Sequence, residues 1–173
     1  MDQLGIAQYL TRLGLLLGNQ GELEAGKQAW LQAPAWQPLR RLVEDTWVLK
    51  DWFELYVSQN LVLDGVLFAL AYKEVDQVLS DQAGPVVSML TRFQAEWGQD
   101  ANKWVDAVMK VAAAESPENK ELLSHWYAHW RGRVQEALAP IAELALGADG
   151  ADALARSVAA VDGRMNKAGL TLA

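Results

Sequence analysis

The chain has 173 residues, no cysteine and a formal net charge of −7, with 51% hydrophobic and 21% charged residues. The absence of thiols excludes disulfides, thiolate metal sites and cysteine nucleophiles, and fits a reducing cytosol. The acidic balance, with no Lys/Arg stripe, argues against a nucleic-acid surface, and the apolar fraction argues against a disordered chain.

In chain order the signals are helical throughout. Met1–Leu17 lacks the basic n-region and small-residue cleavage site of a signal peptide. Leu4, Ala7, Tyr9, Leu10, Leu13, Leu16 and Leu17 recur at helical spacing, with Gly18 as the expected stop. Met1 opens directly into this pattern with only Asp2 as a cap, so the chain is expected to begin partway along an element. Glu22–Leu31 predicts a short helix, ended by Ala33-Pro34 and Gln37-Pro38. From Pro38 a long helix is expected to run to Asp64-Gly65, kink there and continue to about Leu79, with Ser80–Gly84 as a loop.

Val86–Glu115 predicts the next helix, weakest at Gly98. Ser116-Pro117-Glu118-Asn119 is a restart: Ser at the N-cap, Pro at the first helical position and an acidic first turn. The helix that follows offers the stripe Leu122, Trp126, Trp130, Val134, Leu138, Ile141 and Leu144, bends at Pro140 and stops at Gly147. Ala151–Asn166 is a last amphipathic helix and Ala168–Ala173 a tail. The expectation is a single all-α domain over residues 1–173, of which 148–173 form a terminal helix and tail.

The run Trp47–Tyr72 carries Glu54, Ser58, Gln59, Asn60 and Asp64 within an apolar stretch. It is about long enough to span a bilayer, but a central Asp costs ~3 kcal/mol on insertion scales. It therefore reads as a long helix buried in a bundle, not a membrane span. Inward-facing Glu residues in helical bundles suggest a carboxylate-bridged di-iron site, which needs two lone Glu and two Glu-x-x-His motifs. Glu54 could be a lone Glu. The two histidines, His125 and His129, have Leu122 and Trp126 three residues before them, so that site cannot be built. Glu54, Asn60 and Asp64 are then buried or interfacial polar groups that need hydrogen-bond partners, for which Arg40, Arg41, Lys50 or another chain are candidates.

His125 and His129 lie one helical turn apart, a spacing that can hold zinc. Arg133 one turn beyond disfavours a cation there, so the pair is expected to be exposed or interfacial. A free-standing helical metal or haem protein using these histidines is the rival reading, and a self-contained helical adaptor a further one. Among eight tryptophans, Trp47 and Trp52 are expected on the buried central helix. Trp30, Trp36, Trp126 and Trp130 are candidate interface anchors.

The segments MDQLGIAQYLTRLGLLL, PLRRLVEDTWVLKDWFELYVSQNLVLDG, WVDAVMKVAAAESPENKELL and EALAPIAELALG resemble the β subunit of bacterial multicomponent phenol hydroxylases. The β subunits of toluene and alkene monooxygenases are similar but more distant. The likeness reaches about Gly147 and corresponds to the C-terminal half of the family's β chain. It implies a ferritin-like fold, partial here, and a non-catalytic scaffold for a di-iron α subunit that hydroxylates aromatics with dioxygen in an NADH-dependent, phenol 2-monooxygenase-type complex. It implies no cofactor in this chain, α, γ and a second β subunit as partners, no membrane or nucleic acid, and a cytoplasmic location. Glu54 would be a ligand-equivalent relic, and Asp100 and Lys103 stand where α carries Glu-x-x-His. The helices of the missing half would leave apolar surface exposed on this chain.

Overall fold

A computed structural model describes residues 2–170. Six helices follow one another: α1 (Asp2–Gln32), α2 (Gln37–Thr46), α3 (residues 52–83), α4 (Val86–Glu115), α5 (Pro117–Leu146) and α6 (Gly150–Ala168). Short 3₁₀ turns at Pro34–Trp36 and Gly147–Asp149 lead into α2 and α6. Among the described residues there is no strand, as the helical periodicity requires. The terminal tail beyond Leu170 lies outside the described residues.

The expected junction between Gly18 and Glu22 falls at Asn19, whose φ of 65° and ψ of −174° interrupt α1. Its side-chain oxygen accepts from the Gly21 amide at 2.8 Å, the local bond that lets Asn take a left-handed turn. The expected continuous helix from Pro38 is instead two helices. α2 ends at Thr46, whose hydroxyl donates to the Val43 carbonyl at 2.7 Å. Residues 47–50 turn, and Asp51 restarts the chain as an N-cap, its carboxylate accepting from the amides of Phe53 and Glu54. Trp47 and Trp52, expected in the core, flank this turn and are 78% and 74% exposed.

The helix continues through Gly65 without a break. Two π-helical stretches, Val57–Leu63 and Leu70–Val75, take up the irregularity on either side of it. The Asp64 amide reaches the Gln59 carbonyl five residues back. The expected loop at Ser80 is still helical; the turn comes at Gly84, where φ is 77°. α4 passes through Gly98 without a break because that glycine is buried against Phe68. Ser116 caps α5 as expected, accepting from the Asn119 amide at 3.1 Å, and Pro140 sits inside the helix without ending it.

α5 packs on α2, α3, α4 and α6. The middle of its expected stripe is buried, at Trp130, Val134 and Leu138, but at its start Leu123 and Tyr127 face the core in place of Leu122 and Trp126, and Leu122 and Leu144 are exposed. A helix with apolar residues on two flanks has its buried flank chosen by its neighbours. Val57, Leu61 and Val62 of α3 and Leu154, Val158, Val161 and Met165 of α6 make those neighbours. By length and composition α3 could cross a bilayer, but here its inner face completes this core.

Candidate functional site

Glu54 and Trp130, 76 residues apart, meet where α3 crosses α5. The indole Nε1 donates to Glu54 Oε1 at 3.1 Å. This is a partner for the half-buried carboxylate, and it is none of those expected: Arg40 instead pairs with Glu44 at 2.9 Å. Trp130 is 1% exposed, which leaves it no surface to offer a partner and places it in the core. The Arg133 guanidinium lies 4.9 Å from the Trp130 ring centroid and also pairs with Asp45, joining α5 to α2. The edge of Trp130 meets His129 at 5.2 Å.

One turn along the core, the Tyr127 hydroxyl and Arg131 both donate to Asp162 of α6. Burial pushes the Asp162 carboxyl up, but these two hydrogen bonds and the Arg131 charge outweigh it and hold the group below its usual value. Burial, then the Asp162 contact, raises the Tyr127 hydroxyl. Arg164 of α6 makes a similar tie to Asp106 of α4. These bonds lock the helices together, and each carboxylate is matched to a cation.

Asp64 is different. It forms no ion pair among the described residues, and its hydrogen bond is a 3.3 Å contact from the Gln3 amide of α1. Burial alone pushes its carboxyl up to about 6. It lies at one wall of a cleft of about 290 Å³ between α3 and α4, whose other walls include Asn60, Phe68, Trp97, Asn102 and Trp104. Phe68 packs tilted against Trp97 at 5.5 Å, and Tyr56 meets Trp104 edge-on at 5.6 Å. Burial, then the nearby Asp106 charge, raises the Tyr56 hydroxyl to about 12.

The structure thus brings Asn60 and Asp64 together and adds Phe68, Trp97, Asn102 and Trp104, which the sequence reading missed. The only signal was spacing: Asn60, Asp64 and Phe68 recur every fourth residue on α3, and Trp97, Ala101 and Trp104 share a face of α4. Asp100 and Lys103, which the family resemblance set against Glu-x-x-His, pair with each other at 2.8 Å on the exposed side of α4.

His125 and His129 are exposed. Among the described residues, no three His, Asp or Glu side chains gather closely enough to hold a metal ion. Trp126 is half-buried and lines a shallow groove with Trp52, Phe53 and Leu122. Trp30 and Trp36 pack edge-to-face at 6.3 Å, each half-buried against the core. The outer face of α4 exposes Met89, Phe93, Trp104 and Val111, each by more than 60%.

A family model for methane/phenol/alkene hydroxylases matches residues 1–116. The chain is 46% identical over 172 residues to the phenol 2-monooxygenase oxygenase component DmpL of Pseudomonas sp. (strain CF600), covering 98% of this chain and 51% of that protein. It is 46% identical to the oxygenase component MhpL of Acinetobacter pittii (strain PHEA-2), covering 91% and 48%. The hydroxylase β subunit of the Ectopseudomonas mendocina toluene-4-monooxygenase system is 29% identical, covering 69% and 36%. The crystal structure of xenon-pressurized phenol hydroxylase from Pseudomonas sp. OX1 superposes with a TM-score of 0.91 at 43% identity, covering 99% of this chain and 52% of the other. The chain spans about half the length of the two phenol monooxygenase components.

Proposed function

The chain belongs to the methane/phenol/alkene hydroxylase family, and we propose that it is a non-catalytic β-type subunit, matching the C-terminal half of such chains. In this reading it scaffolds a di-iron α subunit that hydroxylates phenol-like aromatics with dioxygen. Its partners are α, γ and a second β subunit, and its place is the cytoplasm. No cofactor resides in this chain; the iron belongs to α.

The observation that best supports this is the fate of Glu54. The bundle keeps an inward-facing carboxylate on α3, and that carboxylate is hydrogen-bonded to a core indole. A metal-binding carboxylate needs its oxygen lone pairs for the ion and convergent His or carboxylate ligands beside it. Glu54 is thus read as a relic of a ligand position, now one strut of the core. The Asp100–Lys103 pair on the solvent side of α4 supports the same reading.

Co-expression of this chain with a phenol hydroxylase-type α subunit, followed by size-exclusion chromatography and iron analysis, tests the proposal. Co-elution is expected, with iron unchanged when Glu54 becomes Gln. Separate elution, or iron that falls with Glu54→Gln, would refute it. The rival metal or haem protein predicts instead metal bound to this chain alone and lost on His125→Ala.

A further inference from the structure

Three partly buried acidic side chains face a donor from another helix: Asp162 has Arg131, Asp106 has Arg164 and Glu54 has the neutral indole of Trp130. Among the described residues Asp64 has the Gln3 amide and forms no ion pair. A carboxylate taken largely out of water is costly unless a positive charge or several donors face it. A cation is the complement that would offset this cost most fully. The walls define it further, because Phe68, Trp97 and Trp104 present aromatic surface around the same cavity, and ring faces attract ammonium groups within about 6 Å of their centroids. The cavity, about 290 Å³, lies at the lower edge of the roughly 300–1,000 Å³ of small-molecule sites.

From this juxtaposition we propose that the α3–α4 cleft is a binding site for a free, low-molecular-mass organic ammonium ion, with Asp64 as counter-ion and Phe68, Trp97 and Trp104 as its aromatic cage. Asn60 and Asn102 supply amide groups for polar substituents on the ligand. Asp64 titrates near 6, so at neutral pH it carries the charge this pairing uses. A bare metal ion fits poorly, since ring faces displace no water ligand and one carboxylate is too few. The site is independent of the subunit reading above, because every group in it belongs to this chain.

The test is an NMR titration of the full ¹⁵N-labelled chain with benzyltrimethylammonium chloride, following the eight tryptophan indole signals. Saturable movement of the Trp97 and Trp104 signals is expected, with a Kd of about 1 mM or tighter. Asp64→Asn and Trp104→Leu are each expected to weaken binding by roughly tenfold. Trp104 is largely exposed, so that variant keeps the core intact. Absence of saturation, unchanged affinity in both variants, or equal binding of neutral benzyl alcohol would overturn the proposal. So would tighter binding of Nα-acetyl-lysine methylamide than of any free amine, which would assign the cleft to a lysine of another chain.

Discussion

Replacing Asp64 by Asn should make this protein more stable at alkaline pH. Burial raises the Asp64 carboxyl from 3.8 to about 6. Each tenfold change in proton affinity corresponds to about 1.4 kcal/mol, so the ionised form costs the fold about 3 kcal/mol. The folded-state value lies above the unfolded one, so the folded protein holds the proton more tightly. The cost is therefore full above the folded value near 6 and vanishes below the unfolded value of 3.8. Asparagine has the same shape, still accepts from Gln3 and never ionises. Thermal unfolding followed by circular dichroism, in wild type and Asp64→Asn, reads the difference directly. For a chain of this length 1 kcal/mol moves Tm by about 2–4 °C, so the variant should melt about 6–12 °C higher at about pH 8 and no higher at about pH 3. Equal melting at the alkaline pH, or a gain that persists in acid, would show that water solvates Asp64 and that the burial argument is wrong.

Trp130→Phe removes the indole N–H from Glu54 and leaves a half-buried carboxylate short of a donor; urea unfolding should show a loss of about 1–2 kcal/mol. Glu54→Gln keeps an acceptor at that place and should cost less than about 1 kcal/mol by the same assay. Gly150→Ala would drive a Cβ to 2.5 Å from the Ala142 carbonyl oxygen, a backbone atom that cannot move aside; we expect a loss above about 3 kcal/mol or no soluble protein. Gly132→Ala meets nothing within 4 Å, and the helix preference for alanine should raise stability by about 0.5–1 kcal/mol. Asp162 sits below the usual carboxylate value, so its stabilising contribution should be present at neutral pH and fall away as acid protonates it, and Asp162→Asn should flatten that acid limb.

The contrast between Ser116 and Asp51 shows what can be read locally. Ser116-Pro117 stands between two helical patterns, and its cap is legible because the restart is written within four residues. Asp51 caps α3 in the same way and has Glu54 three residues on. It was hidden because apolar residues lie on both sides, and hydrophobic density alone cannot tell one long helix from two short ones. The start of the α5 stripe was misplaced for a related reason, although Trp130, Val134 and Leu138 are buried as expected. Leu122 and Leu123 are equally apolar, and the packing of α3 and α6 decides that Leu123 is the buried one.

The sequence by itself determined the helical class, the caps and stops made of Ser116, Pro117 and Gly147, the family likeness, and the lack of any Glu-x-x-His motif. All of these depend on residue types a few positions apart. The pairing of Glu54 with Trp130, the matched Asp162–Arg131 and Asp106–Arg164 ties, and the placing of Asp64 in an aromatic cleft were decided only by tertiary structure. They join residues 31 to 76 positions apart, or set one carboxylate against two helices. Whether a carboxylate has a counter-charge depends on which helix faces fold against it, and a helical repeat carries no record of that.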